Sequence, residues 1–189
     1  IYKNKIKTII HLAGYANVAE SQINKMKYFK NNILGTLNII KACKNSNVKN
    51  FIFSSSCSIY GNVIGNVDEK KKPNPASYYA YTKYKCENII KKYSKKFNYK
   101  YVILRYFNVA GASSSGKIGE IKNKNARLIK NLAIQYFKTE PIININGSNY
   151  KTKDGTCIRD YIHVSDIAEI HYKCMKYLDK YSKSNIFNC

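Results

Sequence analysis

Residues 77–85 read SYYAYTKYK, with four tyrosines and two lysines in nine positions. A tyrosine is followed four residues later by a lysine twice, as Tyr79/Lys83 and Tyr81/Lys85. On a helix, residues four apart are neighbours, so each pair would set a phenol beside an ammonium. A nearby cation favours the phenolate and lowers a pKa that starts near about 10. A tyrosine tuned in this way can take a proton from a hydroxyl and return it. Such chemistry needs a positioned hydroxyl partner, and the serine run Ser54–Ser56 offers one.

Helical periodicity separates the two pairs. Steps of three and four from Tyr79 pass through Lys83, Cys86, Ile90, Tyr93 and Phe97, an apolar stripe apart from its lysine. The same steps from Tyr81 pass through Lys85, Asn88, Lys92 and Lys95 or Lys96, all polar. At about 100° per residue the two faces point roughly 200° apart. Tyr79 and Lys83 are therefore expected to face inward, and Tyr81 and Lys85 to face water. Two readings of the inward pair stand side by side: a proton-transfer device, or a lysine snorkelling at a helix start. The serines likewise read either as its hydroxyl partner or as a polar loop bonded to its own backbone.

The elements that would position these residues follow from the apolar runs. Thr8–Ala13, Phe51–Phe53 and Tyr101–Leu104 are short, rich in β-branched or aromatic residues and bounded by turn formers, and Ile142–Ile145 offers a fourth such run. Helical spacing marks Ile33–Ala42, through Ile33, Leu37 and Ile40, and Ser77–Phe97. Strands alternating with helices specify a parallel α/β sheet, whose ligands sit beyond the carboxyl ends of the strands. Gly14, Ser54–Ser56 and Asn108 fall at those ends. Residues 111–125, rich in Gly, Ser and Lys, read as a loop leading into a smaller, more irregular segment, and a last helix is expected from about Ser165 or Asp166, either of which could cap it.

With 189 residues and 44% hydrophobic residues, the chain can bury one substantial core. No run approaches twenty apolar residues, so no membrane partner is expected. A net charge of +22 raises the question of nucleic acid, but only Arg105, Arg127 and Arg159 are arginine, and the 30 lysines are spread along the chain. Clustered charge and arginine forks would mark a recognition surface; the balance here points to compositional bias, and no nucleic-acid partner is expected. A non-catalytic basic binding module remains the reading from a different functional class. Six cysteines without a CxxC pair or matching histidine spacing imply no metal site and reduced thiols in a cytoplasmic protein. None of the nine glycines forms a GxGxxG turn, which a dinucleotide-binding sheet normally uses to cradle pyrophosphate. With Ile1 rather than Met at the start and an apolar run at the end, the chain reads as an internal fragment.

The stretches HLAG, NNILGT, VKNFIFSSSCSIYG, SYYAYTK, LRYFNVAGA, SGKIGE, DGTCIRDYIHVSD and IFNC together resemble the extended short-chain dehydrogenase/reductase family. Within it they are most similar to the branch of UDP-glucose (UDP-galactose) 4-epimerases. The resemblance implies a Rossmann-like doubly wound parallel sheet lacking its first βαβ units, with part of a smaller substrate-binding domain. Residues 1–110 would be a partial NAD-binding domain, 111–158 part of the substrate domain, and 159–189 a strand-and-helix return toward the sheet. The implied activity is reversible NAD-dependent epimerisation of a UDP-hexose at C4 through a 4-keto sugar, with a UDP-N-acetylhexosamine or UDP-pentose as alternative substrates. Tyr79 would act as base, Lys83 would bind the nicotinamide ribose and tune Tyr79, and Ser56 would bridge Tyr79 and the sugar oxygen. Leu12, Ala13, Gly14, Asn31, Ser54 and Phe107, with Ser56, Tyr79 and Lys83, would line NAD. Asn108, Leu128, Ile145, Asn146 and Arg159, with Ser56 and Tyr79, would hold the UDP-sugar. The sequence departs from the family's pattern at Ala16, Arg127, Lys130 and Asn146. A homodimer is implied for the full-length protein, whereas this stretch alone is expected to hold NAD poorly and to be inactive.

Overall fold

The computed structural model describes Ile1 and residues 5–121, 127–145 and 147–189. Two compact units emerge. The first comprises Ile1–Tyr106 and Ile170–Cys189, the second Phe107–Glu169.

The first unit is built on four parallel strands in the order β1 (Thr8–His11), β2 (Asn50–Ser56), β3 (Lys100–Tyr106) and β6 (Asn185–Asn188). The two central strands carry the apolar runs Phe51–Phe53 and Val102–Leu104, each residue at most 1% exposed. Burying each such side chain stabilises the fold by about 1.5–3 kcal/mol. Alternation along these strands sorts their side chains between the two faces. Phe51, Phe53 and Ile103 pack with Ile40 of α3 (Gly35–Ala42) and with Cys86 and Ile90 of α4 (Tyr78–Phe97). Ile52, Val102 and Leu104 pack with Cys174 and Leu178 of α6 (Val164–Tyr181) on the opposite face. Helices on both faces of a parallel sheet make this a doubly wound α/β unit.

Helix α4 spans the expected segment. Ser77 caps its start, its hydroxyl accepting from the Ala80 N–H at 3.2 Å, and Asn98 ends it in the left-handed conformation at φ 52°. Tyr79, Lys83, Cys86 and Ile90 are buried, while Tyr81, Lys85, Asn88 and Lys92 are exposed, as periodicity requires.

The helical region before β2 is more broken than the spacing of Ile33, Leu37 and Ile40 suggests. It opens with two short helices, α1 (Val18–Ile23) and α2 (Lys25–Tyr28), passes through a π-helical turn at Phe29–Leu34, and continues as α3. A π-helical turn inserts an extra residue and changes which side chains face inward. Here Asn32 is buried and Asn31 exposed.

Two other expectations need correction. Ile142–Ile145 forms no strand; Ile142, Ile143 and Ile145 are 68%, 46% and 71% exposed, because no neighbouring strand covers the run. The fourth strand of the sheet is instead β6. The last helix begins at Val164 rather than at Ser165 or Asp166, and its first turn is capped from outside by the His163 ring, whose Nδ1 accepts from the Ser165 N–H at 3.2 Å.

The second unit contains the two-stranded parallel pair β4 (Asn108–Ala110) and β5 (Tyr161–His163) and the helix α5 (Leu128–Tyr136). Residues 111–121 form neither helix nor strand.

Candidate active site

Helix α4 is fastened to the carboxyl end of β2 by a lysine. Lys83 is 6% exposed, and its Nζ donates to the Ser54 carbonyl at 2.7 Å. It also stands 5.0 Å from the centre of the Phe53 ring and 6.0 Å from that of Tyr79. Burial pushes the ammonium down to about 8, and the neighbouring Cys86 thiol offsets only part of the lost hydration. Desolvation first, and the Lys83 charge second, push the buried His11 down to about 4. Its Nε2 lies 2.9 Å from Thr36 Oγ1.

The loop after β1 approaches the same lysine. A Cβ added to Gly14 would stand 3.6 Å from Lys83 Nζ and 3.3 Å from Asn32 Oδ1. Asn32 holds this loop through both backbone polar groups of Tyr15. Its Oδ1 accepts from the Tyr15 N–H at 2.9 Å, and its Nδ2 donates to the Tyr15 carbonyl and to Thr82 Oγ1 of α4, each at 3.1 Å. Leu12, Ala13 and Gly14 are exposed, as is Asn31.

Ser54 and Ser56 are half-buried. Ser56 Oγ caps the 3-10 turn Cys57–Tyr60, accepting from the Ser58 N–H at 3.2 Å and lying 2.9 Å from Ser58 Oγ. Gly61 ends that turn at φ 74°, where a Cβ would fall 2.1 Å from the Asn74 carbonyl oxygen, so only glycine fits. Tyr79 is 9% exposed, its N–H held by Ser21 Oγ at 3.0 Å. The first unit thus gathers Gly14, Ser54, Tyr79 and Lys83 around one ammonium, with Ser56 at the end of the strand that Lys83 grips.

The remaining candidates belong to the second unit. Phe107 is half-buried at its start. Asn108 Nδ2 donates to the Asp160 carbonyl at 2.8 Å, which fixes it beside the segment carrying the exposed Arg159. The ion pairs described do not join Arg159 to Asp154 or Asp160, the structural partners its sequence neighbourhood offers. Leu128, the first residue of α5, is 51% exposed, and Ile145 lies in the open run. Asn146 lies outside the described residues. Among the described residues, no three His, Cys, Asp or Glu side chains gather as a metal site would require.

Three participants carried little signal in the sequence. Asn32 sits next to an identical residue, and only the π-helical turn makes it the inward one. Glu87 was legible in principle, because Tyr79, Lys83 and Glu87 recur at steps of four. Arg105 takes meaning only from its partner: its Nε and Nη2 donate to Glu87 Oε1 and Oε2 at 3.0 and 2.8 Å.

A doubly wound parallel sheet with a tyrosine, a buried lysine and a serine at the carboxyl end of a central strand defines a Rossmann-type protein of the extended short-chain dehydrogenase/reductase class. Residues 1–189 match the profile of the NAD dependent epimerase/dehydratase family, and the chain belongs to that family. A UDP-glucose 4-epimerase from Lactobacillus helveticus is 39% identical over 97% of this chain and 56% of its own length. Among solved structures, a UDP-glucose 4-epimerase from Brucella ovis in complex with NAD superposes with a TM-score of 0.91 at 35% identity, covering 99% of this chain and 58% of that one. Another from Stenotrophomonas maltophila, with bound NAD and formylated UDP-arabinopyranose, gives 0.92 at 31%, covering 99% and 56%. The chain therefore spans between half and three-fifths of the length of these relatives.

Proposed function

We propose that this chain carries the proton-transfer centre of an NAD-dependent UDP-hexose 4-epimerase. The observation that carries the reading is the placement of Lys83: a buried ammonium bound to the Ser54 carbonyl, beside the Tyr79 ring and within reach of the bare Gly14 backbone. The residues fit a dinucleotide at this end of the sheet. Gly14 leaves open the space a Cβ would take, and Lys83 keeps two further N–H donors for ribose hydroxyls.

NAD held by Lys83 and the Gly14 loop would supply a hydride acceptor and donor for the sugar C4. The chain's own residues handle the proton. Tyr79 Oη receives it from the sugar 4-hydroxyl and later gives it back, with Ser56 Oγ bridging the two oxygens. A charged Lys83 makes the phenolate less costly and orients the cofactor ribose. Leu12, Ala13, Asn31, Ser54 and Phe107 would line the cofactor. Asn108 and Arg159 would meet the diphosphate, the guanidinium suiting a bidentate contact that lysine cannot make; Leu128, Ile145 and Asn146 would complete the substrate side.

We further infer a homodimer as the working form and a cytoplasmic location, the latter supported by six free cysteines. No helix among the described residues is long and apolar enough to cross a membrane. Incubating the intact protein with NAD and UDP-galactose should yield UDP-glucose; no conversion of UDP-galactose or of UDP-N-acetylgalactosamine would overturn the reading.

A further inference from the structure

Glu87 lies four residues beyond Lys83 and eight beyond Tyr79, so the three share one face of α4. Its carboxylate is fully buried and accepts three hydrogen bonds: from Ser55 Oγ at 2.7 Å, and from Arg105 Nε and Nη2 at 3.0 and 2.8 Å. Ser55 and Arg105 are register partners on β2 and β3. One carboxylate therefore clamps both central strands at their carboxyl ends. Arg105 Nη1 extends the tie to Tyr60 Oη at 2.7 Å, and Tyr60 Oη donates in turn to Asn188 Oδ1 of β6 at 2.7 Å.

Stability alone explains such a pair poorly, because a buried arginine–carboxylate pair rarely outperforms apolar residues of the same volume. Placement explains it better. Lys83 holds the Ser54 carbonyl and Glu87 holds the Ser55 hydroxyl, so α4 grips β2 at both residues immediately before Ser56. Tyr79, four residues before Lys83, is the next rung of the same helical ladder, about 6 Å further along the axis. We propose that Glu87 is a positioning residue which, through Ser55, sets where the Ser56 hydroxyl stands relative to Tyr79. The proposal rests on the reading of Tyr79 and Ser56 as the proton-transfer pair.

The test is Ser55→Ala in the intact, NAD-loaded protein, which removes the link to β2 and leaves the Glu87–Arg105 pair in place. With UDP-galactose, kcat should fall about tenfold while KM stays within about twofold, the loss expected of one hydrogen bond to a charged group. Ser55→Thr, which keeps a hydroxyl at that position, should recover most of kcat. Glu87→Gln should lower kcat further and also lower the melting temperature, since it leaves Arg105 buried without its counter-charge. A wild-type kcat in Ser55→Ala, a loss confined to KM, or equal losses in the Ala and Thr variants would each overturn the proposal. Tyr79→Phe run alongside separates the two levels. If it is inactive while Ser55→Ala is unaffected, only the role of Glu87 falls; if it is fully active, the reading of the site falls and this proposal with it.

Discussion

Lys83 Nζ donates at 2.7 Å to the carbonyl of Ser54, two residues before Ser56. A single ammonium thus joins the helix that carries the tyrosine to the strand that carries the serine. The bond uses one of its three N–H donors, and the Tyr79 ring stands 6.0 Å away. The charge has been moved out of water to a place where it can act on a neighbouring phenol, and the strand end is pinned while it does so.

The two tyrosine–lysine pairs should separate in a rate measurement. Tyr79→Phe is expected to lower epimerase turnover by about 10²–10⁴-fold, the usual contribution of a positioned acid–base group. Tyr81→Phe, on the exposed face, should leave turnover within about twofold. An inactive Tyr81 variant beside an active Tyr79 variant would reverse the assignment.

Lys83→Met should stabilise the cofactor-free protein at pH 7 while abolishing turnover. Burial lowers the lysine to about 8 from its ordinary 10.5, so between these values the unfolded chain binds more protons and the native state gains stability as pH rises. The cost of the buried charge is thus fully present below pH 8 and is relieved toward 10.5. The variant should melt about 2–4 °C above wild type at pH 7, with the gap closing as pH rises through that window. A gap that widens with pH would contradict it.

His11 should impose an opposite limit at low pH. Its value of about 4 lies below the ordinary 6.5, so the native state keeps it neutral while the unfolded chain protonates it. Stability should fall from pH 6.5 toward pH 4, by about 3 kcal/mol at the acid end. His11→Gln, which does not titrate, should flatten this part of the wild-type curve of melting temperature against pH.

Gly14→Ala tests whether the loop after β1 meets the cofactor. The added Cβ would sit 3.3 Å from Asn32 Oδ1 and 3.6 Å from Lys83 Nζ, a crowding that small shifts can absorb. The melting temperature should change by no more than about 2–4 °C, while NAD affinity measured by calorimetry on the intact protein should drop at least about tenfold through lost backbone approach. Unchanged affinity would place the cofactor elsewhere.

Much of this arrangement is written in local sequence. A period of 3.6 assigned Tyr79 and Lys83 to the buried face and Tyr81 and Lys85 to water, and short β-branched runs marked three of the four sheet strands. These are short-range matters, since burial of one stripe needs only the spacing of residues along one element. Tertiary structure alone decided the rest. Ile142–Ile145 has strand composition but no partner strand among the described residues, and its Ile142 N–H donates instead to the Gln135 side chain, whereas Asn185–Asn188 becomes a strand because β3 lies beside it. Asn32 rather than Asn31 turns inward because a π-helical turn shifts the phase by one residue. Glu87, Arg105 and Ser55 are separated by 18 and 32 positions in the chain and become one network only when β2 and β3 pair in register beneath α4. Spacing could place a tyrosine and a lysine together on one helix; bringing the serine strand to them required two strands and a helix from distant parts of the chain, which no local pattern encodes.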